Sequence, residues 1–306
     1  MKEQPTPSWT SSKECAMRFA IYKKNGHRGI AVEHSGQWFG LTAEDTAYPG
    51  DLDSLLAQGA DLAEVAARLA RGTPVDLDAV RVLPPFGRPN KILCVGLNYL
   101  DHSMETGFAK QTYPTVFARF ASSLIGHDQP IALPAQSSQL DYEGELVAVI
   151  GKAGRGITRE RALDHVAGYS LFNDVTLRDY QFRTPQWTMG KNFDGTGGFG
   201  PWFVTADELP RGCKGLRIQT RLNGAVVQEA STSDMIFDIE TLVVMLSEVM
   251  TLQAGDLIVT GTPAGIGMAR EPQLWMKAGD VCEVEIEQLG VLRNAVMPAA
   301  MVRCDA

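Results

Sequence analysis

Cysteine is scarce and scattered in this chain. Its 306 residues hold five, Cys15, Cys94, Cys213, Cys282 and Cys304, with no C-x-x-C pair among them. An odd, unclustered set in a chain of this length argues against a disulfide framework or a cysteine zinc site, and fits a reducing cytoplasm. Positive charge is also in short supply: 28 Lys and Arg stand against 36 Asp and Glu, a net charge of −8. Without a basic footprint, neither nucleic acid nor anionic membrane is expected as a partner. No apolar run approaches the ~20 residues of a membrane span. Residues 1–15 lack the apolar core of a signal peptide and read as a loose polar leader. Internal repeats are absent, and so are G-x-S-x-G, H-E-x-x-H and Walker A sequences, which removes the serine hydrolase, zincin and NTPase readings. Gly195-Thr196-Gly197-Gly198-Phe199-Gly200 does match G-x-G-x-x-G. Pro201 and a strand-like Trp202-Phe203-Val204 follow it, however, so no helix N-terminus is available to hold a dinucleotide phosphate.

What is present is an ordinary globular composition, 44% hydrophobic and 21% charged. The length suits one large domain with a small one beside it. Short runs between residues 17 and 41, broken at Asn25-Gly26 and Ser35-Gly36, predict a meander of strands. Leucines at helical spacing from Leu52 to Leu69, interrupted at Gly59, predict two short helices. Pro84-Pro85 and Pro89 mark a linker, so a small N-terminal α+β domain is expected over 16–85 and a larger domain over 90–306. In the larger part, strands are expected at 91–96, 116–120, 146–150 and 169–173, a hairpin around Asn223-Gly224, an apolar-faced helix from Ile239 to Val249, and further strands at 257–260 and 281–287. Thr158 is a good N-cap for a helix closed by Gly168. The fold class is therefore α+β and strand-dominated, without the βαβα beat of a doubly wound sheet.

The chemistry centres on Asp141-Tyr142-Glu143-Gly144-Glu145-Leu146-Val147-Ala148-Val149-Ile150. The β-branched run from Leu146 reads as a buried strand. If the strand extends back, Glu143 and Glu145 share a face about 7 Å apart. Their repulsion of ~2 kcal/mol at an effective dielectric of 20 asks for a divalent cation, an arginine pair or plain exposure to water. With Asp174 they could form the all-oxygen shell that Mg²⁺, Mn²⁺ or Ca²⁺ prefers; Asp174 alone could equally be a turn or cap residue. His102 and Glu105, three apart, would share a helix face, as a carboxylate orienting a general base or as a solvated turn. The flanking glycines Gly96 and Gly107 and the polar run between them suit a mobile lid, expected over 98–112. His27, His34, His127 and His165 sit in polar contexts and read as surface residues. Lys191 could bind an anion, Arg178 and Asp179 could be a local ion pair, and the glycines around Thr262 would let backbone approach a ligand.

Taken together, six segments in order resemble the fumarylacetoacetate hydrolase family: Gly96-Leu97-Asn98-Tyr99 through His102-x-x-Glu105, Asp141 to Leu146, Asn173 to Gln181, Gly190 to Asp194 with Gly200-Pro201, Asn223-Gly224 with Thr232 to Phe237, and Gly261 to Gly267. The resemblance, over about residues 90–297, implies a mixed β-roll core and usually a homodimer. It implies that Glu143, Glu145 and Asp174 hold Mg²⁺ or Mn²⁺, that His102 and Glu105 form a dyad on a closing lid, and that Lys191, Gln181, Arg178 and Thr262 surround the bound oxygens. Arg119 departs from the lysine of many relatives, and is expected either at the distal end of the substrate or in solvent. The implied substrate is a small oxo acid. C–C hydrolysis of a 2,4-dioxo acid (an acylpyruvate) to pyruvate and a second acid is the leading expectation, with decarboxylation or keto–enol isomerisation of an oxaloacetate-type compound as the alternative. A non-catalytic, metal-stabilised binding protein is the reading from another class.

Overall fold

A computed structural model describes residues 17–105 and 111–302. Strands dominate it, arranged as two mixed sheets and a short two-stranded ladder. The larger sheet has twelve strands. Its middle is the antiparallel set Gly197–Thr205, Val166–Asp174, Gly144–Ile150 and Leu257–Val259. Strand Ile92–Gly96 then pairs in parallel with Leu257–Val259, and Thr115–Arg119 forms the edge. At the other side the meander Arg18–Lys24, His27–His34 and Gln37–Thr42 continues the same sheet, because Phe19 pairs with Phe203. The smaller sheet has five strands, with the hairpin Arg217–Leu222 and Ala225–Ser231 at one side and Ile131–Leu133 at the other.

The central strand Gly144–Ile150 is buried along its whole length. Leu146, Ala148 and Ile150 face a core shared with Ile218, Val284 and Leu292 of the smaller sheet and with Leu242, Val243 and Leu246 of helix Ile239–Val249. Val147 and Val149 point the other way, into a second core with Phe19, Ile21, Leu52, Leu55 and Phe199. A strand covered on both faces needs a continuous apolar run rather than an alternating one, and 146–150 supplies it. Among the described residues no helix is long and apolar enough to cross a membrane.

The segment after Thr158 departs from expectation. Residues Arg159–His165 form 3-10 turns, Thr158 makes no side-chain cap bond, and the chain is already a strand at Val166. Gly168 serves the sheet instead of ending a helix: a Cβ there would lie 2.1 Å from the Val204 carbonyl oxygen. His165 is not a surface residue either. It is buried, with Nδ1 2.8 Å from the Lys152 carbonyl. The segment Gly195–Gly200 runs into strand Gly197–Thr205.

Candidate active site

Sheet register builds the acidic cluster. Gly144 pairs with Asn173, so Glu143 falls beside Asp174 at the end of the neighbouring strand, and the Asp174 amide donates to the Glu143 carbonyl at 2.8 Å. Glu143 and Glu145 flank a glycine for a steric reason. A Cβ on Gly144 would sit 2.2 Å from Thr220 Oγ1, so the smaller sheet presses against the strand where it carries no side chain. The carboxylates of Glu143, Glu145 and Asp174 converge, with one oxygen from each lying within 4.8 Å of the others, and all three residues are buried.

Buried carboxylates this close need compensation, and it is uneven. Lys191 Nζ bridges Glu143 Oε2 at 2.6 Å and Asp174 Oδ2 at 2.7 Å. Arg178 holds Glu143 Oε1 through NH1 at 2.6 Å and Asp141 Oδ2 through Nε at 2.8 Å, while its NH1 also donates to Gln181 Oε1 at 2.9 Å. Burial pushes the Glu143 carboxyl up, but Lys191 and Arg178 outweigh it and bring it down to about 2. Among the described residues Glu145 receives no such partner; the Gly261 amide donates to it. Burial first, then the charges of Asp174 and Glu143, push it well above the ordinary carboxylate range. The cluster holds Asp141, Glu143, Glu145 and Asp174 against Arg119, Arg178 and Lys191, one more carboxylate than cations. The donor set is all oxygen, and the uncompensated Glu145 is the position where a cation would relieve most repulsion. These residues fit a hard divalent ion.

The expected dyad forms on helix Leu100–Glu105. His102 Nδ1 lies 2.8 Å from Glu105 Oε1, and Glu105 Oε2 accepts from the Gly265 amide at 2.9 Å, which ties the helix to the glycine-rich turn. His102, Glu143, Glu145, Arg178, Gln181, Lys191 and Thr262 line one cavity. Thr262 Oγ1 donates to the Gly144 carbonyl at 3.0 Å and accepts from Gln228 Nε2 at 2.8 Å. Residues 106–110 of the expected lid lie outside the described residues.

Two expectations are corrected. Arg178 does not pair with Asp179, which instead accepts from Ser137 Oγ at 2.6 Å. Arg119 faces neither solvent nor substrate. It is fully buried behind Asp174, on which its guanidinium closes, and donates to Thr196 Oγ1 at 2.8 Å and to the Val175 carbonyl at 3.2 Å. The guanidinium does not line the cavity. Sequence reasoning had also assigned no role to Asp141, Asn98 or Gln228. Asp141 holds Arg178 and accepts from the Gly267 and Met268 amides. Asn98 fastens the Thr260 and Phe237 carbonyls. Their partners lie 34 to 162 residues away along the chain, which local spacing does not reveal.

Residues 91–297 match the family model described as the fumarylacetoacetate hydrolase C-terminal domain. A mitochondrial oxaloacetate tautomerase of Homo sapiens is 40% identical over 275 residues, spanning 89% of this chain and 87% of the human protein. The solved fumarylacetoacetate hydrolase of Exiguobacterium antarcticum superposes with a TM-score of 0.80 at 37% identity, over 92% of this chain and all of that one. Maleylpyruvate hydrolase from a Sphingobium species, solved with manganese(II) and pyruvate, gives a TM-score of 0.75 at 29% identity, over 92% of this chain and 99% of that one. By family model, curated relatives and solved fold alike, the chain is an enzyme of the fumarylacetoacetate hydrolase family.

Proposed function

We propose that this protein is a Mg²⁺- or Mn²⁺-dependent enzyme of small 2-oxo acids, and that its reaction is keto–enol tautomerisation of oxaloacetate. The observation that carries the reading is the convergence of three buried carboxylates, two of which, Glu143 and Glu145, line one cavity with His102. Tautomerisation stands ahead of hydrolysis because curated relatives that align over nearly nine-tenths of the chain are oxaloacetate tautomerases.

Glu143, Glu145 and Asp174 would hold the ion. A divalent cation there would supply Lewis acidity for polarising the carbonyl of a 2-oxo acid. Glu105 fixes the imidazole with Nδ1–H directed at its carboxylate, so proton transfer falls to Nε2. The imidazole takes a proton from C3 and returns one to the C2 oxygen, which leaves the enzyme as it began. Lys191, held between Glu143 and Asp174, places its ammonium where negative charge develops on the substrate. Arg178 and Gln181 orient the carboxylate groups, and Thr262 shapes the wall opposite them.

Hydrolysis of an acylpyruvate is the second reading, favoured by the same His102–Glu105 pair. An imidazole buried on an otherwise exposed helix turn can deprotonate water as well as carbon. One assay separates the two: enol and keto oxaloacetate and a panel of acylpyruvates, each with Mg²⁺, scored for tautomer interconversion, pyruvate, second acid and CO₂. Rapid tautomer interconversion with little pyruvate from any acylpyruvate is the expected result. Pyruvate and a second acid formed faster than oxaloacetate tautomerises would overturn it.

A further inference from the structure

A four-carbon substrate does not use all the space the structure offers. Beside the catalytic cavity, and sharing Leu97, Phe117, Phe182 and Trp187 with it as a common wall, lies a cleft of about 500 Å³. Its far side is built from the edge strand Thr115–Arg119 and the segment Thr184 to Gln186. Among the described residues lining it, none is charged. Phe117 and Trp187 meet edge to face, with ring centroids 5.5 Å apart. The indole packs closely against Gly96, where a Cβ would lie 2.4 Å from its ring. Phe117 also touches the reaction centre, because Lys191 Nζ sits 5.0 Å from its centroid. Phe182, half exposed, stands at the rim. Among the described residues, Arg183, next to Phe182 and Thr184, is turned aside with its guanidinium 3.5 Å over the Tyr180 ring.

We propose that this cleft is a specificity subsite for the apolar or aromatic tail of a larger 2-oxo acid, and that the enzyme accepts such substrates beyond the four-carbon diacid. The inference rests on the metal-dependent 2-oxo acid reading above. A tail carrying a terminal carboxylate would be desolvated in the cleft and meet only neutral partners among the described residues, which opposes its binding. An aryl group instead finds the Phe117 and Trp187 rings in the lining as packing partners. The uncharged lining and its position next to Lys191 make the discrimination one of tail chemistry.

Three probes test it by calorimetry on the Mg²⁺-loaded protein: pyruvate, 2-oxo-4-phenylbutanoate and 2-oxoglutarate. The phenyl compound is expected to bind about 10-fold tighter than pyruvate, the usual scale for filling an apolar pocket, and 2-oxoglutarate no tighter than pyruvate. Trp187→Ala should remove most of the phenyl gain. Thr184→Arg, which adds a cation without disturbing the aromatic wall, should shift preference towards 2-oxoglutarate and keeps the test decisive if Trp187→Ala does not fold. A phenyl compound no tighter than pyruvate, or a wild type that prefers 2-oxoglutarate, overturns the subsite alone. Failure of pyruvate to bind at all overturns the 2-oxo acid reading as well.

Discussion

At the scale of single residues, the site is a problem of charge compensation. Lys191 and Arg178 satisfy Glu143, Lys191 and Arg119 satisfy Asp174, and Glu145 is left with a backbone amide. Glu145→Gln should therefore weaken Mn²⁺ binding sharply while leaving the metal-free protein at least as stable as wild type, since the change removes a carboxylate held among like charges. Titration calorimetry and thermal melting of the stripped proteins check both halves. His102 is placed for proton transfer and is no proposed ligand. His102→Ala should lower tautomerisation by ~10²–10⁴-fold, the usual worth of a positioned acid–base group, with metal affinity nearly unchanged. Glu105→Gln should give a milder loss, because the imidazole stays but its charged anchor goes. A wild-type rate in His102→Ala would move the base elsewhere in the cavity.

At the scale of elements, the sequence was most legible where one physical demand dominated. The run Leu146 to Ile150 reads as a buried strand because both faces are covered, and Asn223-Gly224 reads as a tight hairpin turn because Asn223 and Gly224 both need positive φ. The stretch after Thr158 misled because Gly168 looks like a helix stop and is a strand contact, a distinction made only by the Val204 carbonyl from a distant strand. Gly144 shows the same dependence on a partner sheet. Gly144→Ala should destabilise the fold by about 1–3 kcal/mol through overpacking against Thr220. Adding Thr220→Ala should recover part of that loss, since the Thr220 hydroxyl is buried without a partner. Denaturant melts of the single and double variants measure the coupling.

Helix Ile239–Val249 gives a pH-dependent test at this scale. Its N-cap Asp238 accepts from the Thr241 amide at 2.9 Å and pairs with Arg159 at 2.6 Å and Lys214 at 3.1 Å. Partial burial raises the carboxyl, but hydrogen bonds from Arg159, Thr241 and Lys214 win and hold it below the usual range. A carboxylate lowered on folding stabilises the native state above its unfolded pKa of about 4, and loses that contribution as pH falls further. Asp238→Asn, which keeps a capping side chain, should flatten the decline in melting temperature below pH 4 relative to wild type. An unchanged acid limb would show that Asp238 contributes nothing to it.

At the scale of the whole molecule, the strand-dominated α+β class and the chemistry-bearing segments were readable because each carries its own local signature. How they meet was not. The meander at 18–42 joins the sheet that carries Glu145 through Phe19 and Phe203, residues that nothing along the chain links. Arg119 was misjudged for the same reason, since its partner Asp174 lies 55 residues on. The assembled result is a two-sheet body that brings acidic side chains from adjacent strands together, with the imidazole of a short helix lining the same cavity. That arrangement makes metal dependence the central claim. The direct measurement is the rate of enol-oxaloacetate ketonisation by chelator-stripped protein before and after Mg²⁺ is restored. The account predicts a rate near the uncatalysed one without metal and recovery on adding Mg²⁺ to wild type but not to Glu145→Gln. Full activity in the verified metal-free protein would contradict it.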